Sequence, residues 1–511
     1  MSIAGLFREQ VQGLQVSEDA ARRATLSGDL YRPASSPASV ILCPVDAEQT
    51  IALVRIARRE GVALYPRGGG LSYTGGFTPA ERPTALVDMG GLGGIAIDAE
   101  RGTVSAGAGL SWAALHEALA ATGRRAASFG PLSGIGATLG GGAAQNGGFF
   151  GAAGHGAYGD SGIVGATLID GAGEQRMLSL QDRVDGLTAP QPLVGDCGAF
   201  GLRTEIVLRT IALPPVTRFA SFGFETGAQA FSVLAGLAGL PTLGEAYVFD
   251  PGTHANLARS GFSVIESATL ASDLLRGGGG LLGRIGGLLK TARAGKTFVA
   301  DLAWSLHVSL DGSAAETEPV LAEIALQCGR AGGEPIPDII PRVTRARPFR
   351  RIKAVLGPDG ESWLPLHGVF APADAAPALA RVAATLDAAR EPMHRHGIQV
   401  VTLGVLMGGR VIVEPQLFWR DGLTDVQRHL ALPEQVQAHG DRPANLEARA
   451  AAHALRTGLL ETLDSAGAGH FQIGRSYAAH PGVPESAQAA WRALKARFDP
   501  DRIMNPGVLG L

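Results

Sequence analysis

Cysteine is scarce in this chain of 511 residues, where only Cys43, Cys197 and Cys328 occur. Three thiols cannot pair off completely and none stands at metal-ligand spacing, so a disulfide framework is excluded. A reducing compartment with the thiols as small core residues fits better. Charge of one sign is missing as well. The 44 Lys and Arg residues against 47 Asp and Glu leave a formal net charge of -3, which exerts no global pull on nucleic acid or anionic lipid. No uninterrupted apolar run reaches transmembrane length. "MSIAGLFREQVQGLQ" meets Arg8 and Glu9 before any long apolar region develops, so no signal peptide is expected and a cytoplasmic location is. No internal repeat is present. What remains is a 46% hydrophobic chain rich in Ala and Gly, long enough to bury more than one core.

The periodicity is informative near the start. "DAEQTIALVRIARREGVALYPRGGG" has helical apolar spacing around residues 51–56; Gly61 then stops the helix and "VALYP" reads as a strand. "TALVDMGGLGGIAIDAERGTVSAGAGLSW" reads as short strands between glycine turns, and "WAALHEALAATG" as a helix. "GIVGATLIDGAGE" resembles two strands about a tight turn, and "GLRTEIVLRTIAL" is an alternating strand. About two hundred residues thus read as α+β with short strands, without regularly wound βαβ units. "LPPVTR" at 213–218 marks a boundary, because paired prolines end a strand and stiffen a link. Beyond it, "KTFVADLAWSLHVSLDG", "SWLPLHGVFAP" and "IQVVTLGVLMGGRVIVEPQLFW" predict an antiparallel sheet with helices on one face. The end predicts an amphipathic helix, a proline stop and a short tail. Residues 274–296, "LLRGGGGLLGRIGGLLKTARAGK", stand apart. They read as a loop over the domain or as a basic amphipathic patch for a membrane surface or an electron-accepting partner.

Two glycine clusters carry the functional signal. "YPRGGGLSYTGG" at 65–76 follows a strand and offers backbone N–H groups that no Cβ shields, with Ser72, Tyr73 and Thr74 as side-chain donors. It opens no G-x-G-x-x-G helix and no Gly-Lys-Ser/Thr follows, so by itself it is equally a surface turn. "GPLSGIGATLGGGAAQNGGFFGAAGHGAYGD" at 130–160 is the second cluster, with Thr138, Gln145 and Asn146 among its small residues. Together, two such loops suit a dinucleotide, one at the pyrophosphate and one along the ring system.

"YPRGGGLSYTGG", "GATLGGGAAQNGG", "YGDSGIVGATLIDGAGE", "GAFGLRTEIVL" and the terminal "FDPDRIMNPGVLGL", in that order, resemble the PCMH-type FAD-binding flavoproteins. This is the superfamily of vanillyl-alcohol oxidase, D-lactate dehydrogenase and glycolate oxidase. The resemblance implies an α+β fold: a two-subdomain FAD-binding domain at 1–215, a cap with a large antiparallel sheet at 216–475, and a segment at 476–511 returning to the first domain. It implies FAD as cofactor. Pro66, Arg67, Gly68, Gly69, Gly70, Leu71, Ser72 and Tyr73, with Gly75 and Gly76, would cradle the pyrophosphate. Pro131, Gly136, Ala137, Thr138, Gly140, Gly141, Gln145, Asn146 and Gly147, then Tyr158, Gly159 and Asp160, would line the path to the flavin. Gly201 and Ile206 would lie in the closing strand, and Asn505 in the tail folded back onto the site. Leu71 and Ser72 stand where some relatives carry the histidine that bonds the flavin, so non-covalent FAD is expected.

Flavin chemistry needs a C–H bond aimed at N5 and a base for the attached O–H. His367 in "WLPLHGVF" reads either as a bonded core histidine or as such a base. In "GRVIVEPQLFW", alternation sends Glu414, Gln416 and Phe418 to one face, with Arg410 as a dull ion-pair partner for Glu414 and Trp419 as a further aromatic. "GHFQIGRSY" brings His470, Arg475 and Tyr477, where phenol-oxidising relatives carry a Tyr-Arg pair; Arg475 would bind a carboxylate or steady the reduced flavin. His155 lies near a position those relatives fill with tyrosine, or is a loop residue in water. The metal-assisted relatives carry paired cap histidines where only His367 stands, so no metal is expected. The expected function is an FAD-dependent oxidoreductase moving hydride from the CH–OH of an alcohol or 2-hydroxyacid to flavin N5. A para-hydroxybenzylic or other phenolic substrate is the alternative, and a non-catalytic electron-transfer subunit a further one. Beyond a small-molecule substrate, an acceptor is needed (oxygen, a quinone or a cytochrome); the sequence says nothing of which, or of oligomeric state.

Overall fold

A computed structural model describes residues 2–31, 33–79, 83–179, 183–184, 187–188, 194–259, 302–346, 348–349, 355–477 and 485–511. The basic segment at 274–296 lies outside them.

Asp46 accepts the Gln49 amide at 2.7 Å and so starts the Ala47–Glu60 helix, longer than its apolar stripe suggests. Gly61 ends it with φ 65, a left-handed turn that costs glycine nothing. The helix crosses from the Val40–Cys43 strand to the Ala63–Arg67 strand. Both pair in parallel with Thr84–Asp88, and Gln15–Ser17 adds antiparallel to Val40–Cys43. One wound βαβ unit therefore does occur, in a small four-stranded sheet. The chain end enters the same sheet: Leu64 bridges Met504 in parallel, and the Leu64 amide donates to the Ile503 carbonyl at 2.7 Å.

A second sheet is antiparallel, ordered Ile95–Asp98, Thr103–Gly107, Leu202–Ala212, Ile163–Ile169, Gln175–Ser179. The long Leu202–Ala212 strand is its spine and also pairs with Arg124–Ala126. Trp112, Tyr158, Phe149 and Phe150 pack beside it in one buried cluster.

After the prolines at 214–215, Val216–Phe224 opens a third, eight-stranded antiparallel sheet. Its centre is Trp304–Gly312, Leu243–Phe249, Gln399–Met407 and Arg410–Trp419. Helices Gly227–Gly236, Pro372–Ala388 and Leu446–Ser465 share an apolar core with this sheet. Its opposite face turns toward the glycine loops: Tyr247, Val405, Met407 and Ile412 belong to the same cluster as Trp112 and Tyr158. "SWLPLHGVF" is two short strands, Ser362–Pro365 and Gly368–Phe370, so His367 sits in the break between them and not within a strand. Among the described residues no helix is long and apolar enough to cross a membrane.

Candidate active site

The two glycine loops touch. A Cβ on Gly69 would stand 1.9 Å from the Gly136 carbonyl oxygen, and one on Gly68 would stand 2.2 Å from Thr138 Oγ1. Only bare backbone allows that approach. Thr138 also accepts the Gly141 amide at 3.2 Å, starting the short Leu139–Gln145 helix. Asp29, buried beneath the first loop, accepts the Gly75 amide at 2.6 Å and the Ser72 hydroxyl at 3.2 Å. The C-terminal tail holds the loop from the other side. Asn505 Nδ2 donates to the Gly76 and Cys197 carbonyls, each at 2.6 Å.

A cavity of about 1270 Å³ runs from these loops to the inner face of the large sheet. Small-molecule pockets span roughly 300–1,000 Å³, so this one has room for more than one small molecule. From the first loop Pro66, Gly68, Gly69 and Gly70, then Leu71, Ser72, Tyr73 and Gly76, reach it. From the second come Pro131, Ala137, Thr138, Gly140, Gly141, Gln145, Gly147 and Tyr158, and Gly201 lines it too. Arg67, Gly75, Gly136, Asn146, Gly159, Asp160, Ile206 and Asn505 are not among the lining residues. Several of these brace the loops instead: Asn146 Oδ1 accepts the Gly159 amide at 2.9 Å and Asp160 Oδ2 the Ala157 amide at 2.8 Å.

The cap wall follows from strand alternation. Ile412, Glu414, Gln416 and Phe418 face the cavity from Arg410–Trp419. Their neighbours Val405, Leu403 and Val401 on the adjacent strand lie opposite Ile412, Glu414 and Gln416 in register and face it too. Glu414 is therefore the charged group of a strip that is otherwise apolar except for Gln416. Its Oε1 accepts from Gln416 Nε2 at 2.7 Å, and Gln416 Oε1 accepts from Trp363 Nε1 at 3.1 Å. Arg410, at the exposed strand end, pairs in register with Met407 and plays no part in this chain of bonds. Burial raises the Glu414 carboxyl to about 7, against the pull of the Gln416 bond. Tyr73 lines the same cavity, its ring 5.5 Å from Trp363. Burial and the nearby Glu414 hold the Tyr73 phenol well above its ordinary value, and a hydrogen bond with Gln472 works the other way.

The remaining candidates cluster behind this wall. His367 is fully buried, with Tyr477 Oη 3.1 Å from Nδ1 and the Phe471 carbonyl 2.9 Å from Nε2. Burial pushes its imidazole down to about 3. His470 Nδ1 faces the His367 carbonyl at 2.9 Å and Nε2 faces Asp464 at 2.7 Å. Arg475 donates to the Gly75 carbonyl, Asn505 Oδ1 and the Pro506 carbonyl at 2.6, 2.7 and 2.9 Å. None of these four side chains lines the cavity; Phe471 and Gln472, which lie between His470 and Arg475, do. His155 ends the Ala152–His155 helix, half-buried and near Arg125 and Asp311, also away from the lining. Sequence reasoning passed over Trp363, Phe471 and Gln472, although all three stand in the quoted "WLPLHGVF" and "GHFQIGRSY" stretches, because attention there went to the titratable residues.

FAD fits this cradle by its construction. The loops present backbone with no side-chain thickness, and the Tyr158 hydroxyl, stacked through its ring on Trp112 at 4.3 Å, is buried without a partner among the described residues. Gly68 to Gly70 and Gly140 to Gly142 would hold the pyrophosphate, and Tyr158 would meet a polar atom of the cofactor.

Residues 38–179 match a family model described as an FAD binding domain. A stretch of 207 residues, 38% of this chain, is 29% identical to alkyldihydroxyacetonephosphate synthase of Trypanosoma brucei brucei and spans only 32% of that protein. The fold superposes on substrate-bound p-cresol methylhydroxylase with a TM-score of 0.69 at 14% identity, covering 100% of this chain and 96% of the other. It is similar also to 4-ethylphenol oxidase from Gulosibacter chungangensis in an isoeugenol complex, with TM-score 0.66, 15% identity, and 99% and 96% coverage. A solved alkyldihydroxyacetonephosphate synthase gives 0.65 at 17% identity, covering 96% and 83%. The chain thus carries an FAD binding domain at residues 38–179, within a fold that it shares with p-cresol methylhydroxylase and 4-ethylphenol oxidase.

Proposed function

We propose that the protein oxidises the CH–OH group of an uncharged, largely apolar alcohol, with Glu414 as the group that accepts the hydroxyl proton. The observation that carries this reading is a carboxyl near pKa 7 on the cap wall of the cavity that the glycine cradle shares. A general base works best when its pKa lies near the working pH. When bound, FAD supplies the acceptor for the two electrons and the hydrogen leaving carbon. Glu414 takes the O–H proton, and Gln416 fixes the carboxylate that does so. Val401, Leu403, Val405, Ile412 and Phe418 exclude water and hold the body of the substrate.

A 2-hydroxyacid suits the site less well, because its carboxylate would enter beside Glu414 while the Arg475 guanidinium is engaged with the tail. Trp363, Phe418 and Tyr73 favour an aromatic body, so a benzylic alcohol satisfies both the apolar and the aromatic features. We also propose that FAD is held non-covalently, since Leu71 and Ser72 occupy the cradle position where relatives bear a linking histidine.

Anaerobic mixing of the FAD-loaded protein with benzyl alcohol, vanillyl alcohol, D-lactate and glycolate tests the reading. Benzylic alcohols are expected to bleach the visible flavin absorbance. Reduction by D-lactate or glycolate alone would overturn it.

A further inference from the structure

Gln472 has φ 54, a left-handed backbone that residues other than glycine adopt only when their surroundings enforce it. The enforcement is visible on every side. Its amide donates to the Gln145 carbonyl at 3.0 Å. Two residues on, Gly474 lies against Thr74 so closely that a Cβ would stand 2.3 Å from the Thr74 carbonyl oxygen. Arg475 then donates its amide to the same carbonyl at 2.8 Å. On the cap side, the His367 amide donates to Tyr477 Oη at 3.0 Å, which turns the phenol proton toward His367 Nδ1 at 3.1 Å. Nε2 is then the protonated nitrogen, and it donates to the Phe471 carbonyl at 2.9 Å. His367 is thus a directed brace on the peptide that precedes Gln472.

What the brace holds out is an amide. The Gln472 side chain lines the cavity and passes over Gly147, where a Cβ would meet Nε2 at 3.1 Å. It is hydrogen-bonded to the Tyr73 hydroxyl, which also feels the nearby Glu414 carboxylate. A carboxamide donates and accepts at once and carries no charge. It therefore matches a hydroxyl before reaction and a carbonyl after it. As the O–H proton passes to Glu414 and the C–O bond gains its second component, negative charge builds on that oxygen, where fixed N–H and O–H donors count most.

We propose that Gln472, with the Tyr73 hydroxyl, binds the reacting oxygen of the substrate and sets the preference for an uncharged one, and that His367 is a positioning residue acting through the Phe471–Gln472 peptide. This rests on the alcohol-oxidation reading for the reaction but not for the binding.

The test uses FAD-loaded protein and two readouts: reduction by benzyl alcohol, and perturbation of the flavin spectrum by benzaldehyde, a neutral carbonyl ligand that needs no turnover. Gln472→Gly removes the amide and relieves the backbone, so it is expected to keep FAD and melt no lower than the parent. Benzaldehyde binding should weaken at least tenfold and reduction fall tenfold to a hundredfold. His367→Phe should raise KM more than it lowers kcat, and the double variant should be no worse than Gln472→Gly alone. Unchanged benzaldehyde affinity in Gln472→Gly, or no benzaldehyde binding to the parent, would overturn the proposal. If the parent binds benzaldehyde through Gln472 but is reduced by no alcohol, the oxygen-binding role stands and the alcohol-oxidation reading falls.

Discussion

The two walls of the cavity are made of different material. The cofactor wall is backbone: Gly68, Gly69, Gly140 and Gly141 present peptide groups with nothing between them and the neighbouring loop. The cap wall is side chain, set by alternation along Arg410–Trp419 and its partner Gln399–Met407. A backbone wall tolerates no added atom, whereas a side-chain wall can change chemistry without disturbing the sheet that carries it. If the cap wall binds the substrate as proposed, cofactor identity and substrate identity are under separate control in this molecule.

The contrast can be broken from either side. The largest effect is expected on the backbone wall. Gly69→Ala would place a methyl 1.9 Å from a carbonyl oxygen that cannot rotate away, so the protein should purify colourless and take up added FAD at least a hundredfold more weakly. On the other wall, Glu414→Gln should keep its FAD yet lose about 10²–10⁴ in the rate of flavin reduction. The pH profile sharpens that result. Glu414 accepts a proton only when ionised, so reduction by an alcohol should rise with pH and level off above about 7, and the Gln variant should lose this dependence.

Smaller effects concern stability. Asn505→Ala would leave the Gly76 and Cys197 carbonyls without this buried donor and remove one of three acceptors of Arg475, a loss of about 2–4 kcal/mol by denaturant unfolding. The Glu414 pKa is raised by the fold from 4.5 to about 7. The folded state thus binds this proton more tightly than the unfolded chain. That contribution is full below about pH 4.5 and is lost as pH rises through 7. Glu414→Gln should therefore exceed the parent in stability at pH 8 by about 1–2 kcal/mol, a figure reduced for partial access to cavity water, with the gap closing near pH 5.

How much of this was legible in the sequence follows the same division. Glycine runs are visible because a missing Cβ is a property of the residue type, and the α+β fold and FAD could be read from their order. The alternation that puts Glu414, Gln416 and Phe418 on one face is also a local property, fixed by a period of two. The single βαβ unit was hidden by the shortness of its strands. What His367 touches depends on Tyr477 and Phe471, more than a hundred residues away, and an isolated histidine carries no sign of its partners. Gln472 was the least legible of all. A left-handed glutamine contradicts the residue's own preference, and only the contacts of Gln145, Thr74 and His367 explain it.

The tail strand has a consequence for how the protein is made. Leu64 ends its hydrogen bonding on Ile503 and Asn505, and Asn505 reaches Gly76 across 429 positions of chain. During synthesis the first glycine loop leaves the ribosome early, yet its last supports arrive only with residues 503–505. The first glycine loop therefore stays incompletely supported in the nascent chain until residues 503–505, hundreds of positions later, have been translated.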